Sequence, residues 1–537
     1  MADRSSCSPL LKSRVYLYLT EFFAGMASMA VELGASRLLA PYFSSSQVIW
    51  TIIIATIMIA LSIGNVLGGR WADKDPDPGR LYRRLAIAGM WIAVIPFAGR
   101  YLIPGICILV AAVTTSGFLA WASFLCCLVL FAFPLVLLGT VTPSLTKYAV
   151  DNLDDNGKTV GAFIALNTIG SIVGTFLPTF VTIPTAGTAA TFVIFSLVPI
   201  ALGVAYFVSV RKRAALCCLA VAVAVACGVA SGSFTYVFWD DAVVHEDESL
   251  YNYLQVKQTP TETSLSTNVA FGVQSVKPAQ GRLTGMYYDY AMAAPYLAGM
   301  TPDSDVKVLV LGLGSGTYAT QMLEYFPHAA VDGVEIDQKI VDLADEYFGM
   351  DPRVNAIVGD GRASLAGLGT YDVIMVDAYS DITPPFQMAT AEFFSQVKAH
   401  LNPNGVMVVN MNMRDPGPGG LNNYLSDTIG QVFSTVDTIV LPDATNQELF
   451  ASDNPRMREQ LRAGLALGQQ PALERFLQRS VAPHLTAYAP GDLVLTDDKA
   501  PVEILGIRSL DAIIQSELDY YHRIFKEQGI SGVMSSL

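Results

Sequence analysis

Four short runs in the second half of the chain put glycines and carboxylates directly after apolar stretches. Gly312-Leu-Gly314-Ser315-Gly316 follows Val306–Leu311, and Glu335-Ile-Asp337 follows Ala330–Val334. Gly359-Asp360-Gly361 comes third, and Asp377 closes the run Tyr371–Val376. Glycines after a strand let the backbone approach a ligand closely. An acid at the tip of the next strand, 19 residues past Gly316, can accept both hydroxyls of a ribose. Asp360 is in position to read an adenine amino group. The GxGxxG form that holds a pyrophosphate is missing, because Gly316 is followed by Thr-Tyr-Ala. The pattern therefore favours an S-adenosyl-type nucleoside over NAD.

These runs need strands that end together. Strand-like and helix-like segments alternate from Val306 onward, which predicts a parallel α/β sheet of Rossmann type. A helix to about Phe326 is expected after the glycine loop. Upstream, Tyr251–Lys257, Thr263–Asn268 and Phe271–Val276 read as short strands of a small β-rich subdomain. The expected organisation is an α-helical multi-span membrane domain (1–232), the β subdomain (233–300) and the Rossmann-like domain (301–537).

The membrane assignment rests on composition. The 537 residues are 52% hydrophobic and 15% charged, with mean hydropathy +0.42. A plain soluble enzyme and a disordered chain are both excluded by such values. Apolar runs near 16–36, 48–69, 85–104, 118–140, 160–183, 188–209 and 214–232 are each long enough to span a bilayer. Ile106–Ser116 is shorter and reads as re-entrant, interfacial or part of an extra span. No cleavable signal peptide is apparent. Gly64–Gly68 and Gly161–Gly170–Gly174 offer small faces for close helix packing. Glu32 and Arg37, near the end of the first span, read as a buried pair, an interfacial anchor or a functional site.

Charge divides the chain. Residues 1–232 hold 15 Lys+Arg and 9 Asp+Glu, whereas 233–537 hold 18 and 38. So acidic a domain repels phosphate backbones, which argues against nucleic acid as a partner. All seven cysteines precede residue 232 and none has a metal-ligand spacing, so neither a disulfide framework nor a metal is expected. Under the seven-span reading, thirteen loop cations fall on the side of the N-terminus and only Arg37 and Arg100 on the other. That bias puts the N-terminus in the cytoplasm and the acidic domain outside.

The runs VLVLGLGSGTYATQML, VEIDQKIVDLADEYF, VGDGR and YDVIMVDAYSD resemble the spermidine synthase family of aminopropyltransferases. Ser249-Leu-Tyr-Asn-Tyr-Leu-Gln-Val is similar to its small N-terminal β-domain. ELGASRLLAPYF, GGRWAD, NTIGSIVGTFLP and LTDDKAPVE resemble the membrane-fused branch of that family.

The resemblance implies transfer of an aminopropyl group from decarboxylated S-adenosylmethionine to an amine such as putrescine, releasing methylthioadenosine. Gly312, Gly314, Ser315, Gly316, Glu335, Asp360, Gly361 and Asn252 would then bind the nucleoside, with Glu335 on the ribose and Asp360 on the adenine. Asp377 would be the base that orients the attacking amine. Tyr288, Asp289, Tyr379 and Asp381 are candidates for the amine, and no metal is implied. Asp497 and Asp498 could cap a helix starting after Pro501 or line the amine pocket.

Departures are informative. The family's acid between the last two loop glycines is Ser315 here, which leaves intact S-adenosylmethionine, and hence a methyltransferase, as an alternative. A nucleoside-binding sensor or transporter is a second alternative. A polyamine substrate, a lipid bilayer and a possible homodimer are the expected partners. S-adenosyl donors are cytosolic, and their supply favours a cytoplasmic catalytic domain, the opposite side from the one the loop charges indicate.

Overall fold

The computed structural model describes residues 13–114, 116–149, 156–269, 272–379, 383–412, 419–442 and 444–536. The chain divides into two compact units, Met1–Trp239 with Asp247–Tyr253, and Asp240–Glu246 with Leu254–Leu537. Of the β-rich segment 233–300, residues 233–239 and 247–253 fall in the first unit and the rest in the unit that holds the Rossmann-like part.

Among the described residues of the first unit, six helices are long and apolar enough to cross a membrane: Arg14–Phe43, Gln47–Lys74, Pro78–Val113, Phe118–Ala149, Gly157–Ser209 and Ala214–Ser231. The fifth is broken at Gly187, whose φ of 82° and ψ of 167° are not helical. Residues 157–182 and 188–209 are thus two arms, and all seven expected apolar segments fall in helical stretches. Ile106–Ser116 is not an extra span. Its residues to Val113 are the last turns of Pro78–Val113, which runs through Pro96 and Pro104.

Small residues let these helices touch. A Cβ on Gly170 would lie 1.9 Å from the carbonyl oxygen of Phe22, and one on Gly174 2.2 Å from that of Met26. Gly64 and Gly68 face Val136 and Thr140 in the same way, whereas Gly161 faces open space. Polar groups add directionality: buried Glu21 accepts from Thr142 Oγ1 at 2.5 Å and Asn167 Nδ2 at 3.0 Å. Of the readings open for Glu32 and Arg37, the mutual pair does not form among the described residues; Arg37 donates to the carbonyl of Leu250.

Glu248 is also tied to this unit, accepting from Thr188 N at 2.5 Å and Thr188 Oγ1 at 2.6 Å. Arg37 and Thr188 stand at the helix ends away from Lys74, Lys158 and Arg211–Arg213. Residues 247–253 therefore dock on the end of the helical unit opposite its basic loops.

The second unit opens with an antiparallel sheet in the order β1-β2-β3-β4, formed by Val243–Glu248, Tyr253–Gln258, Glu262–Thr267 and Ser275–Pro278. The main sheet has eight strands in the order β12-β10-β11-β9-β8-β5-β6-β7. Its parallel part is β5 (Lys307–Leu311), β6 (Ala330–Glu335), β7 (Asn355–Val358), β8 (Tyr371–Val376) and β9 (Leu401–Met411). Strands β10 (Thr435–Val440), β11 (Gln447–Ser452) and β12 (Thr486–Ala487) add an antiparallel edge.

Strand β8 is buried along its whole length, as expected of a central parallel strand covered on both faces. One face packs on Tyr296, Met322 and Phe326, the other on Phe393, Phe394 and Leu425. From β5 the chain winds outward through β6 and β7, then returns to β8 on the other flank. The β5/β8 boundary is thus a topological switch point, where α/β sheets place their ligand crevice.

Candidate active site

The glycine loop leaves β5 with Gly312, Gly314 and Gly316 at φ of 91°, 54° and 72°, values costly for other residues. Gly312 also settles the distance to the neighbouring strand tip, because a Cβ there would lie 2.4 Å from the carbonyl oxygen of Asp377. The helix Thr317–Tyr325 begins directly after Gly316, matching the expected strand, loop and helix.

Glu335 ends β6 almost fully buried, and its Oε2 accepts from Gly314 N at 3.0 Å while Oε1 accepts from Asp337 N at 3.2 Å. The carboxylate thus braces the glycine loop and lies beside it. Burial raises its pKa above the usual carboxylate value, against the pull of those two amides. Asp360 caps the helix Gly361–Leu365, its Oδ1 accepting from Ala363 N at 2.8 Å. This is the N-cap geometry of a short acid before a helix. Ser315 is buried, and its hydroxyl bonds Thr317 Oγ1 at 2.8 Å.

Asp377 stands at the tip of β8. Its Oδ2 accepts from Tyr287 Oη at 2.5 Å and its Oδ1 from Asn410 Nδ2 at 2.8 Å. Burial pushes its pKa up to about 7, with the charge of Glu335 adding to the rise and the two hydrogen bonds opposing it. A carboxylate that titrates near neutrality is suited to accepting a proton at physiological pH.

The other expected residues divide. Tyr379 lies with Asp377, donating to the carbonyl of Asn410 and accepting from Asn412 N at 3.3 Å. Tyr288 packs against Tyr287 with the rings tilted and their centroids 4.0 Å apart, its hydroxyl donating to Gln274 O at 3.2 Å. Tyr287, not Tyr288, is the residue that reaches Asp377.

Asp289 is fully engaged elsewhere. Its carboxylate accepts from Thr284 N and Oγ1, Gly285 N and Gln321 Nε2, all within 3.0 Å. The side chain holds the turn before its own helix and is not open to an amine. Asn252 belongs to residues 247–253 of the first unit, where its amide N–H donates to Ser249 Oγ at 2.8 Å. Asp381 lies outside the described residues.

Asp497 makes a bidentate pair with Arg362 at 2.7 and 2.8 Å and accepts from Thr390 Oγ1 at 2.7 Å. The Arg362 hydrogen bonds hold its pKa down at about 2. It clamps the Gly361–Leu365 helix to Thr390 through these contacts.

Three members of the cluster were not expected from sequence: Tyr287, Asn410 and Glu448. Asn410 lies in β9, with its Oδ1 accepting from Asn446 Nδ2 at 2.8 Å. Glu448 lies directly opposite it in β11. The available signal was a polar residue inside each of two apolar strands, Met407-Val-Val-Asn410-Met and Glu448-Leu-Phe-Ala. Among the described residues, no group of three His, Cys, Asp or Glu could hold a metal ion.

The family described as "Spermine/spermidine synthase domain" matches residues 291–441. A probable polyamine aminopropyl transferase of Bifidobacterium longum is 44% identical over 352 residues, covering 62% of this chain and 77% of the relative. A polyamine aminopropyltransferase of Vibrio vulnificus is 27% identical over 279 residues, covering 49% of this chain and 91% of the relative. The crystal structure of a probable spermidine synthase from Corynebacterium glutamicum aligns at 20% identity and a TM-score of 0.35, over 47% of this chain and 96% of that one. The chain belongs to the spermine/spermidine synthase family of polyamine aminopropyltransferases.

Proposed function

We propose that this protein is a membrane-bound aminopropyltransferase that takes decarboxylated S-adenosylmethionine as donor and a small polyamine such as putrescine as acceptor. The attacking nitrogen forms a bond to the aminopropyl carbon next to the sulfonium. The C–S bond breaks with its electron pair going to sulfur, methylthioadenosine leaves, and the proton lost by nitrogen goes to Asp377. Because the sulfonium is already a good leaving group, the protein has only to align the amine and accept that proton.

The observation that carries this reading is Asp377 itself, held by Tyr287 and Asn410 beside the glycine loop with its pKa near 7. Gly312, Gly314 and Glu335 are taken to face the nucleoside, with Asp360 and Gly361 near its base. Tyr379 is taken to border the amine.

The six apolar helices support the bilayer as a partner. The end of the helical unit on which residues 247–253 dock is read as facing the non-cytoplasmic side. The loop charges and the docking of residues 247–253 opposite the basic loops support that side, and the cytosolic origin of S-adenosyl donors is the consideration against it.

Ser315 favours a second reading, since the loop presents a hydroxyl bonded to Thr317 and no acid that would repel the carboxylate of intact S-adenosylmethionine. Mass spectrometry of the nucleoside released from each donor separates the two. Methylthioadenosine formed only when an amine is present is the expected product, and adenosylhomocysteine would make the protein a methyltransferase.

A further inference from the structure

Glu448 is an acid that the reaction as written does not use. It is fully buried, and neither carboxyl oxygen has a hydrogen-bond partner among the described residues. No ion pair reaches it among them either. A carboxylate left alone in such surroundings is expensive to ionise, so native proteins rarely keep one without a use for it.

Its place is set by sheet register. Glu448 of β11 pairs directly with Asn410 of β9, and residues opposite one another in an antiparallel pair project from the same face, about 5 Å apart at Cβ. The Asn410 side chain on that face bonds Asp377 Oδ1. Glu448 therefore stands on the Asp377 face of the sheet, at the carboxyl end of the parallel strands. On its other side β10 presents Ile439, which is apolar. The helix Tyr287–Ala291 packs over β11 and β9.

The titratable groups that sense its charge are Asp377, Tyr288, Tyr318 and Tyr379. None is a cation, and the Tyr318 hydroxyl is itself unpartnered among the described residues. Burial, reinforced by Asp377, pushes the Glu448 pKa well above the usual value. The free protein thus holds two acids on one face with no positive charge between them.

We propose that Glu448 determines acceptor specificity by taking the second, non-reacting primary ammonium of a diamine whose other nitrogen is held by Asp377. This rests on the amine-transfer reading above. Binding a diamine then converts neutral Glu448 to its carboxylate, and one proton leaves to solvent. A monoamine of the same length gains nothing from this residue.

The test is titration calorimetry of the full-length protein saturated with methylthioadenosine, using 1,4-diaminobutane and 1-aminobutane in buffers of different protonation enthalpy. The wild type should bind the diamine at least about tenfold more tightly, as expected for one added charge-assisted contact, with proton release. Glu448→Gln should lose the preference and release less proton than the wild type while keeping its affinity for methylthioadenosine. Glu448→Asp should recover part of both.

A Glu448→Gln protein that keeps the diamine preference overturns the proposal, as does one in which both amines weaken equally. Weakened binding of decarboxylated S-adenosylmethionine with an unchanged diamine preference also overturns it, by assigning Glu448 to the donor's own ammonium. A wild type that binds methylthioadenosine but neither amine would overturn the amine-transfer reading itself.

Discussion

At the scale of single residues, the proposed amine transfer turns on which donors hold Asp377 and how far burial lifts its pKa. A protonated Asp377 cannot accept the proton of the attacking amine. The rate at saturating amine should therefore rise with pH through about 7. Tyr287 stabilises the ionised form through its 2.5 Å hydrogen bond. Its loss in Tyr287→Phe leaves the burial effect less opposed and raises the pKa further. Hydrogen bonds to charged groups contribute about 1.5–3 kcal/mol, and about 1.4 kcal/mol corresponds to one pH unit. The rising limb of kcat in Tyr287→Phe should thus move up by about one unit or more, and a limb left at the wild-type pH would contradict the arrangement. Residue type alone did not show how two other acids are held: Asp289 is satisfied by its own turn and Asp497 by Arg362. Carboxylates in sequence look alike; the donors that saturate them come from the fold.

At the scale of elements, the local runs were legible and the long-range pairings were not. Strands β5, β6 and β8 and the helix after the glycine loop lie within a residue or two of expectation, because each is an apolar run ended by glycine or an acid. Tyr287, Asn410 and Glu448 reach the site through a short helix and an antiparallel register that no local pattern specifies. The contact between the β5 and β8 tips requires a residue without a side chain at position 312. In Gly312→Ala the new methyl would meet the Asp377 carbonyl at 2.4 Å in a left-handed conformation. Either the loop or the β8 tip must then shift. Nucleoside affinity should fall at least about tenfold, with a stability loss exceeding about 1 kcal/mol. Unchanged binding of methylthioadenosine by calorimetry would show that the two tips need not touch.

At the scale of the whole molecule, a helical unit and an α/β unit share one chain. Composition made the first legible, and the strand tips the second. What composition left open was the path of the chain past the last apolar helix. The anchoring of Glu248 on Thr188 and of Leu250 on Arg37 brings that path to the end opposite the basic loops. Asp241→Cys, in a background with the seven native cysteines replaced, should react with an impermeant maleimide in intact cells. Protection until the cells are lysed would put residue 241 in the cytoplasm and require an even number of crossings. The central claim, that Asp377 is the base of an amine transfer, is tested most directly by Asp377→Asn in the full-length protein. Methylthioadenosine release in the presence of amine should fall by at least about a hundredfold, while nucleoside affinity stays within about threefold of the wild type. Turnover that survives the substitution would contradict the account.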